Sequence, residues 1–208
     1  MNEANIWDGF AKRYDLIVKM FDTSYGAVSS LLVEDIPEGG RVLEVAAGTG
    51  QFTLDLAKRT ENLIATDVSS EMVARIAVRI EEQGFTNVVC VTMSAYDLKV
   101  RDESIDVVFC ANALHVMDQP VQALKEFRRV LKTNGRLIAP TFMHGVDPVR
   151  RAISRTMSVV SPFVAQTRLD LTQLEQLAVR AGFEIIRSQQ LPGIFPIGYV
   201  VAIPRTHK

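Results

Sequence analysis

The sequence contains few cysteines and no excess of charge of either sign, and each absence excludes a class of protein. Its two cysteines, Cys90 and Cys110, lie inside apolar, β-branched runs, which indicates buried thiols and not a disulfide framework. The 23 basic and 24 acidic residues leave a formal charge of -1. Such a balance supplies no broad positive field for nucleic acid or an anionic membrane, so we expect neither as a partner.

Long apolar runs are absent as well. No apolar stretch reaches the roughly 18 residues that a membrane span needs, and the first ten residues lack the basic start and apolar run of a secretory signal. We therefore expect a soluble, cytoplasmic protein without stable membrane insertion.

What the sequence does contain is a regular alternation of strand-like and helix-like segments. Short runs rich in β-branched residues occur at 41–45, 62–67, 87–92, 105–111, 136–143, 183–189 and 198–203. Between them apolar residues recur at helical spacing, as at Met72, Val73, Ile76 and Ile80. Repeated β–α units predict an α/β fold with a doubly wound, mainly parallel sheet that helices cover on both faces.

Local signals predict where several helices begin and end. Ser69, Ser70 and Glu71 supply N-cap candidates before the helix that carries Met72. Gly84, Gly135 and Gly182 each follow an apolar helical run, where a residue in the left-handed region commonly ends a helix.

The chain length predicts one domain over residues 1–208. Two parts stand outside the alternation, the helical-looking residues 1–36 and the segment 144–171. We expect both to cover a binding crevice in the core 40–143, with 144–171 on the acceptor side.

The stretch "RVLEVAAGTGQFTLDLA" places a glycine turn between the first strand and a helix, where doubly wound sheets bind ligands. A dinucleotide-binding G-x-G-x-x-G pattern fits poorly, because its third glycine would fall on Thr53 or Gln51. No Gly-Lys-Ser/Thr follows, so a P-loop fits worse. The distinctive features are an acid inside the first strand, Glu44, and another at the tip of the second, Asp67.

These residues resemble a known family. "LEVAAGTG" is similar to the E-x-G-x-G-x-G motif of class I S-adenosylmethionine-dependent methyltransferases, and "IATDVSSEMV" to their second-strand acid and following helix. "LKEFRRVLKTNGRLI" is similar to the family's segment before the fifth strand. The small-molecule branch with the ubiquinone and menaquinone C-methyltransferases is the most similar, since it shares the A-x-x-Y-D pattern of residues 11–15. The resemblance implies a Rossmann-like, seven-stranded fold and S-adenosyl-L-methionine as cofactor.

The resemblance also assigns roles by position. Glu44 and the Gly48–Gly50 turn would face the methionine part, Asp67 would bind both ribose hydroxyls, and Val68 and Met72 would lie along the adenine. A carboxylate suits a ribose diol, because its two oxygens accept one hydrogen bond from each hydroxyl. The alternative for Asp67 is an acid that interacts with the backbone at the following helix start. For Glu44 the alternative is pairing with a neighbouring basic residue.

The cofactor-binding set implied by the family is completed by Tyr14, Ala46, Ser94, Ala95, Ala111 and Asn112.

Two positions depart from the family pattern. Ala46 stands where the family has the first glycine of its motif, and its methyl group requires a negative φ, which we expect the turn to provide. Ser94 in "MSAYDL" stands where the family has an acid that contacts the adenine, and a hydroxyl is the weaker acceptor. Asp97 is the alternative contact, although its position is more typical of a loop or capping acid.

Methyl transfer requires mainly alignment of the acceptor and exclusion of water. "CANALHVMDQP" resembles the family's L-H-x-x-x-D-P loop, which places Asn112 and His115 near the methyl group. His115 is the candidate general base, because an imidazole titrates near neutral pH; the alternative is a packed or capping histidine. We expect no metal site.

The cover segment 144–171 is expected to select the acceptor. Val149, Ile153, Met157 and Val160 form an apolar helical stripe that can close a pocket. The alternatives are an ordinary packed helix and a contact between the copies of a homodimer.

The sequence thus predicts an S-adenosylmethionine-dependent methyltransferase of a small, partly apolar molecule, such as a quinone-like ring, a phenol or a lipid amine. Two alternatives remain open. One is a member of the same fold that binds the cofactor without transferring methyl, and the other is a nucleotide-dependent oxidoreductase.

Overall fold

The computed structural model describes residues 7–9, 22–143, 169–193 and 196–206, with residues 22–24 described by their backbone only. The predicted contact Tyr14 and the apolar stripe within 149–160 lie outside the described residues. The assignment of 144–171 as an acceptor-side cover and of the whole chain as one domain therefore stay predictions.

The described residues include five helices and seven strands with defined bounds, and residues 7–9 are helical as well. In chain order these are α1 Asp22–Asp35, β1 Arg41–Val45, α2 Thr53–Ala57, β2 Asn62–Asp67, α3 Ser70–Glu82, β3 Val88–Thr92, β4 Ile105–Phe109, α4 Pro120–Val130, β5 Leu131–Phe142, α5 Leu171–Arg180, β6 Phe183–Leu191 and β7 Ile197–Pro204. No helix in these described ranges is long and apolar enough to cross a membrane.

The seven strands form one sheet in the order β3-β2-β1-β4-β5-β7-β6. Strands β1 to β5 pair in parallel, whereas β7 pairs antiparallel with both β5 and β6. This is the predicted doubly wound, mainly parallel sheet, which is thereby confirmed. Strand order reverses between β1 and β4, so the carboxyl ends of these two strands flank the position where such sheets bind ligands.

Apolar side chains cover the sheet on both faces, because successive residues of a strand point to opposite sides. Along β1, Leu43 and Val45 pack into a cluster with Leu124 and Phe127 of α4. Val42 points to the other side and packs with α1 and α2. The central strands are therefore buried on both faces, as their continuous β-branched runs indicate.

The predicted helix ends are correct except at one glycine. Ser69 caps α3, since its hydroxyl accepts from the backbone N–H of Met72, and Gly84 and Gly182 adopt φ values of 70° and 89°. Gly135 is not a helix cap: α4 ends at Val130 and β5 begins at the next residue. A Cβ atom at Gly135 would lie 3.0 Å from the backbone oxygens of both Ile105 and Lys132, so the close approach of β4 and of the start of β5 explains this glycine.

Candidate functional site

An open crevice of about 670 Å³ lies at the reversal of strand order. Its walls come from the residues that follow β1, β2, β3 and β4, together with a residue from α3 and one from the N-terminal segment. The lining residues are Trp7, Ala46, Gly48, Asp67, Val68, Met72, Met93, Ser94, Ala95, Tyr96, Ala111, Asn112, Ala113, Val116 and Met117.

Asp67 is the buried carboxylate of the crevice, and the backbone of two neighbouring turns holds it in place. Its Oδ2 accepts from the N–H of Gly48 at 2.9 Å, and its Oδ1 accepts from the N–H of Ser69 at 2.9 Å. Burial raises the pKa of Asp67 above its ordinary value, and these backbone hydrogen bonds oppose that rise. Each oxygen keeps a further lone pair for a ligand. The contact with the following helix start is thus present, and it is compatible with binding a diol.

The glycine turn contains several residues with left-handed backbone conformations, and these conformations set the directions of its backbone N–H groups. Gly48 adopts a φ of 58°, which directs its N–H at Asp67. Ala46 also lies in the left-handed region, with a φ of 55°, so the expectation of a negative φ at this alanine is wrong. The turn keeps the backbone shape that a glycine would take, and the Cβ of Ala46 bears the resulting strain.

Glu44 lies beneath the turn, beside a side pocket that shares Ala46, Ala111 and Asn112 with the crevice. Its Oε2 accepts from the hydroxyl of Thr53 at 2.6 Å. Burial raises the pKa of Glu44 to about 8, Thr53 opposes the rise, and the charge of Asp67 adds to it. The partner of Glu44 is therefore a hydroxyl of α2 and not the basic residue considered as its alternative. The side pocket is completed by Tyr25, Ala47, Gln51 and Phe52.

The loop after β3 forms the opposite wall. The hydroxyl of Ser94 lines the crevice and accepts from the N–H of Tyr96 at 3.2 Å. Asp97 points away into solvent, where it pairs with Lys99 at 2.6 Å, and both side chains are largely exposed. Of the two candidates for the adenine contact, Ser94 is thus the one at the crevice.

Two side chains of α4 hold this loop in place. The guanidinium of Arg129 donates to the backbone oxygens of Leu98 and Val100 at 2.7 and 3.0 Å, and it pairs with Glu126 at 2.8 Å. Glu126 in turn accepts from the N–H of Leu98 at 3.1 Å. The segment "LKEFRRVLK" therefore supports the Ser94 wall from outside the crevice.

Asn112 joins the ends of β4 and β5. Its φ is 52°, a conformation that asparagine tolerates, and its Oδ1 accepts from the N–H of Phe142 at 3.1 Å. Its own N–H donates to the oxygen of Pro140 at 2.7 Å. Asn112 lines both the crevice and the side pocket, so the same residue shapes the wall and fixes the strand tips.

Two predicted site residues in the described ranges line neither the crevice nor the side pocket. His115 is buried, with its ring edge-on to that of Phe142 at 6.4 Å between centroids, so its role as a base stays a prediction. Gly50 adopts a φ of 86° and packs against Ile76 and Thr53, which makes it a turn residue.

Sequence reasoning missed several lining residues. Met93, Tyr96, Ala113, Val116 and Met117 lie shortly after β3 or β4, so their position at strand tips was an available signal. Trp7 lies 60 positions before Asp67 in the chain, and no local pattern indicates that the two meet.

Comparison with known proteins supports one family. A model described as "Methyltransferase domain" matches residues 43–139. A demethylmenaquinone methyltransferase from Thermobifida fusca is 30% identical over 167 residues, which cover 78% of this chain and 71% of that protein. A phosphatidylethanolamine N-methyltransferase from Cereibacter sphaeroides is 29% identical over 189 residues, which cover 82% and 93%. The crystal structure of a SAM dependent methyltransferase from Aquifex aeolicus superposes with a TM-score of 0.72 at 20% identity, covering 94% of this chain and 98% of that one.

The chain belongs to the class I S-adenosylmethionine-dependent methyltransferases. The cofactor of this methyltransferase is S-adenosylmethionine, and the crevice fits it chemically. Asp67 supplies a buried carboxylate of the kind that accepts hydrogen bonds from hydroxyls, and the apolar side chains of Val68 and Met72 line the same crevice.

Proposed function

We propose that this methyltransferase acts on a small, partly apolar molecule, such as a quinone-like ring, a phenol or a lipid amine. The lining of the crevice is the observation that carries the proposal. Among the described lining residues, Asp67 is the one charged side chain and no lysine or arginine is present. A nucleic-acid substrate needs groups that neutralise phosphates, whereas a small apolar acceptor does not.

The relatives support the same class of acceptor. Two proteins that align with most of this chain are a demethylmenaquinone methyltransferase and a phosphatidylethanolamine N-methyltransferase. One is a quinone-type ring and the other is a lipid amine. Both combine an apolar body with a nucleophilic group, which is the shared chemistry we propose for the acceptor.

Positioning is the main task of the residues of this chain. We assign the ribose hydroxyls to Asp67, the adenine side to Val68, Met72, Ser94 and Ala95, and the methionine part to Ala46, Gly48, Ala111 and Asn112. Glu44 lines the side pocket, and we assign it to the methionine part as well. When bound, the cofactor supplies a methyl group on a positively charged sulfur, which leaves as a neutral thioether. The chain then needs to align the acceptor and exclude water.

The predicted apolar stripe offers a test that separates acceptor from cofactor. Met157→Glu or Val160→Glu should reduce methyl release with a panel of quinols, phenols and amine lipids at least tenfold, since a charge in an apolar pocket disfavours such acceptors. Cofactor affinity by isothermal titration should stay within about twofold. Val179→Glu, at a position of α5 that is 41% exposed, is the matched control.

Each outcome has a defined meaning. Equal loss of turnover and of cofactor binding would assign the stripe a structural or dimer-forming role and contradict the proposed acceptor cover. Faster methylation of RNA or DNA than of every panel member would contradict the small-molecule proposal itself. Binding of the cofactor without methyl release to any acceptor would favour a non-methylating member of the fold.

A further inference from the structure

Trp7 is the single tryptophan of the chain, and it lines the crevice with Asp67, Val68 and Met72. The N-terminal segment 1–36 is predicted to cover the crevice. In the structure its described residues 7–9 lie at the end of the crevice that contains Asp67 and the start of α3.

The next residue, Asp8, anchors this segment to the first turn of α3. Its Oδ1 accepts from the hydroxyl of Ser69 and from the N–H of Glu71, the latter at 3.3 Å. Helix α3 has 13 residues, so its N-terminal N–H groups and dipole favour a carboxylate at this position.

Ser69 connects this anchor with the ribose acid. Its N–H donates to Asp67, while its hydroxyl donates to Asp8 and accepts from the N–H of Met72 at 3.1 Å. One turn therefore has a carboxylate on either side. The charge of Asp8 is among the causes that raise the pKa of Asp67, so the contact forms despite this repulsion.

We propose that residues Trp7–Gly9 belong to the cofactor site, with Trp7 as a wall of the adenosyl pocket and Asp8 as the positioning residue that holds Trp7 there. This inference rests on S-adenosylmethionine binding in the crevice. Trp7 supplies a large apolar face beside a ligand that carries an adenine ring, and aromatic faces stack well on bases. Asp8 contributes through Ser69 and Glu71 and needs no contact with the cofactor.

The single tryptophan makes the first test direct. Titration of the full chain with S-adenosylhomocysteine should change the emission of Trp7, since the ligand displaces water from its ring. By isothermal titration, Trp7→Leu should weaken binding about fivefold or more, and Trp7→Phe should recover most of that loss because it keeps an aromatic face. Unaltered emission, together with equal affinities in all three proteins, would overturn the role of Trp7.

The second test separates positioning from charge. S-adenosylmethionine carries a net positive charge and S-adenosylhomocysteine is neutral overall. If Asp8 positions Trp7, Asp8→Ala should weaken both ligands by a similar factor of about three to ten, and Asp8→Asn should weaken them less because its side-chain oxygen still accepts. If Asp8 acts only through its charge, S-adenosylmethionine alone should bind more weakly, which would contradict the positioning role.

A matched control is available in the loop after β3. Asp97→Ala removes the same charge from a largely exposed side chain that does not line the crevice, and it should leave both affinities unchanged. Absence of any cofactor binding to the unmodified protein would contradict the proposed function. Normal binding that no variant at Trp7 or Asp8 alters would contradict this inference alone.

Discussion

The hydroxyl of Thr53 donates a 2.6 Å hydrogen bond to Oε2 of Glu44, and both side chains are buried. This pair links the first strand to the helix after the glycine turn. A neutral donor stabilises a carboxylate less than a cation does, so burial remains the dominant influence on Glu44.

The first prediction concerns pH. Burial raises the pKa of Glu44 from about 4.5 to about 8, so between these values the folded protein keeps a proton that the unfolded chain has released. The free energy of unfolding should therefore fall as pH rises through this window, by up to about 4–5 kcal/mol from this group. Urea denaturation of Glu44→Gln should show a smaller fall, with the variant more stable than the unmodified protein above pH 8. Parallel curves for the two proteins would contradict the assignment.

The second prediction concerns the strained alanine. Ala46→Gly should increase the free energy of unfolding by about 0.5–1 kcal/mol, since relief of the left-handed conformation outweighs the added entropy of the unfolded chain. Urea denaturation at one pH is sufficient to measure this. Ala47→Gly, at the neighbouring residue whose φ is not positive, should destabilise and serves as the control. A loss of stability in Ala46→Gly would contradict the strain.

The third prediction concerns Asp67, the proposed ligand of the ribose hydroxyls. Asp67→Asn should weaken S-adenosylhomocysteine binding roughly tenfold or more. The substitution removes the negative charge and replaces one of the two acceptor oxygens of the carboxylate by an amide donor. Asp106→Asn is a matched control: Asp106 also accepts a backbone N–H, from Arg41, but it does not line the crevice. It should lower the melting temperature without altering affinity. Unchanged calorimetric affinity in Asp67→Asn would remove Asp67 from the site.

The fourth prediction concerns Ser94. Ser94→Asp should tighten cofactor binding a few-fold, because a carboxylate accepts more strongly than a hydroxyl and can keep the hydrogen bond from the N–H of Tyr96. Ser94→Ala should weaken binding and lower stability slightly. A dissociation constant that rises or stays constant in a folded Ser94→Asp variant would argue against an adenine contact here.

The fifth prediction separates the two roles of Asn112. Asn112→Ala should lower the free energy of unfolding by about 2 kcal/mol, since it loses the acceptor for Phe142 and keeps the left-handed backbone. Asn112→Gly loses the same hydrogen bond without the strain, so it should cost about 1 kcal/mol less. Asn112→Asp retains an acceptor and should be nearly neutral. Equal effects of Ala and Gly would contradict a strain contribution.

The sheet was predictable because its signal is local. Runs of β-branched residues matched β1 and β2 to the residue, since strands buried on both faces need continuous apolar sequence. The topology then predicted where the crevice lies, because ligand contacts in such sheets follow strand ends. The individual residues of the predicted site came from the resemblance to the methyltransferase family, and most of those described line the crevice.

Three features depended on tertiary structure and were not predictable in this way. The path of the whole turn imposes the positive φ at Ala46, and the preference of alanine for a negative φ is too weak to change that path. Gly135 is needed because the backbone oxygen of Ile105, 30 positions away in the chain, lies too close for a side chain. Trp7 reaches the crevice through the contact of Asp8 with Ser69, and such a long-range polar contact has no periodic signature.

Most residues that line the crevice lie at or after the carboxyl ends of β1, β2, β3 and β4, and this placement has a consequence for how the protein can be altered. The turns that lead into these strands lie at the opposite edge of the sheet, so their length is unconnected with the shape of the crevice. Affinity handles, fluorescent labels or inserted peptides are best placed there, for example in the turn around Gly84 between α3 and β3. Amino-acid substitutions during evolution should likewise be tolerated more readily at that edge of the sheet. The edge that carries the crevice should then stay conserved in sequence while the opposite edge diverges.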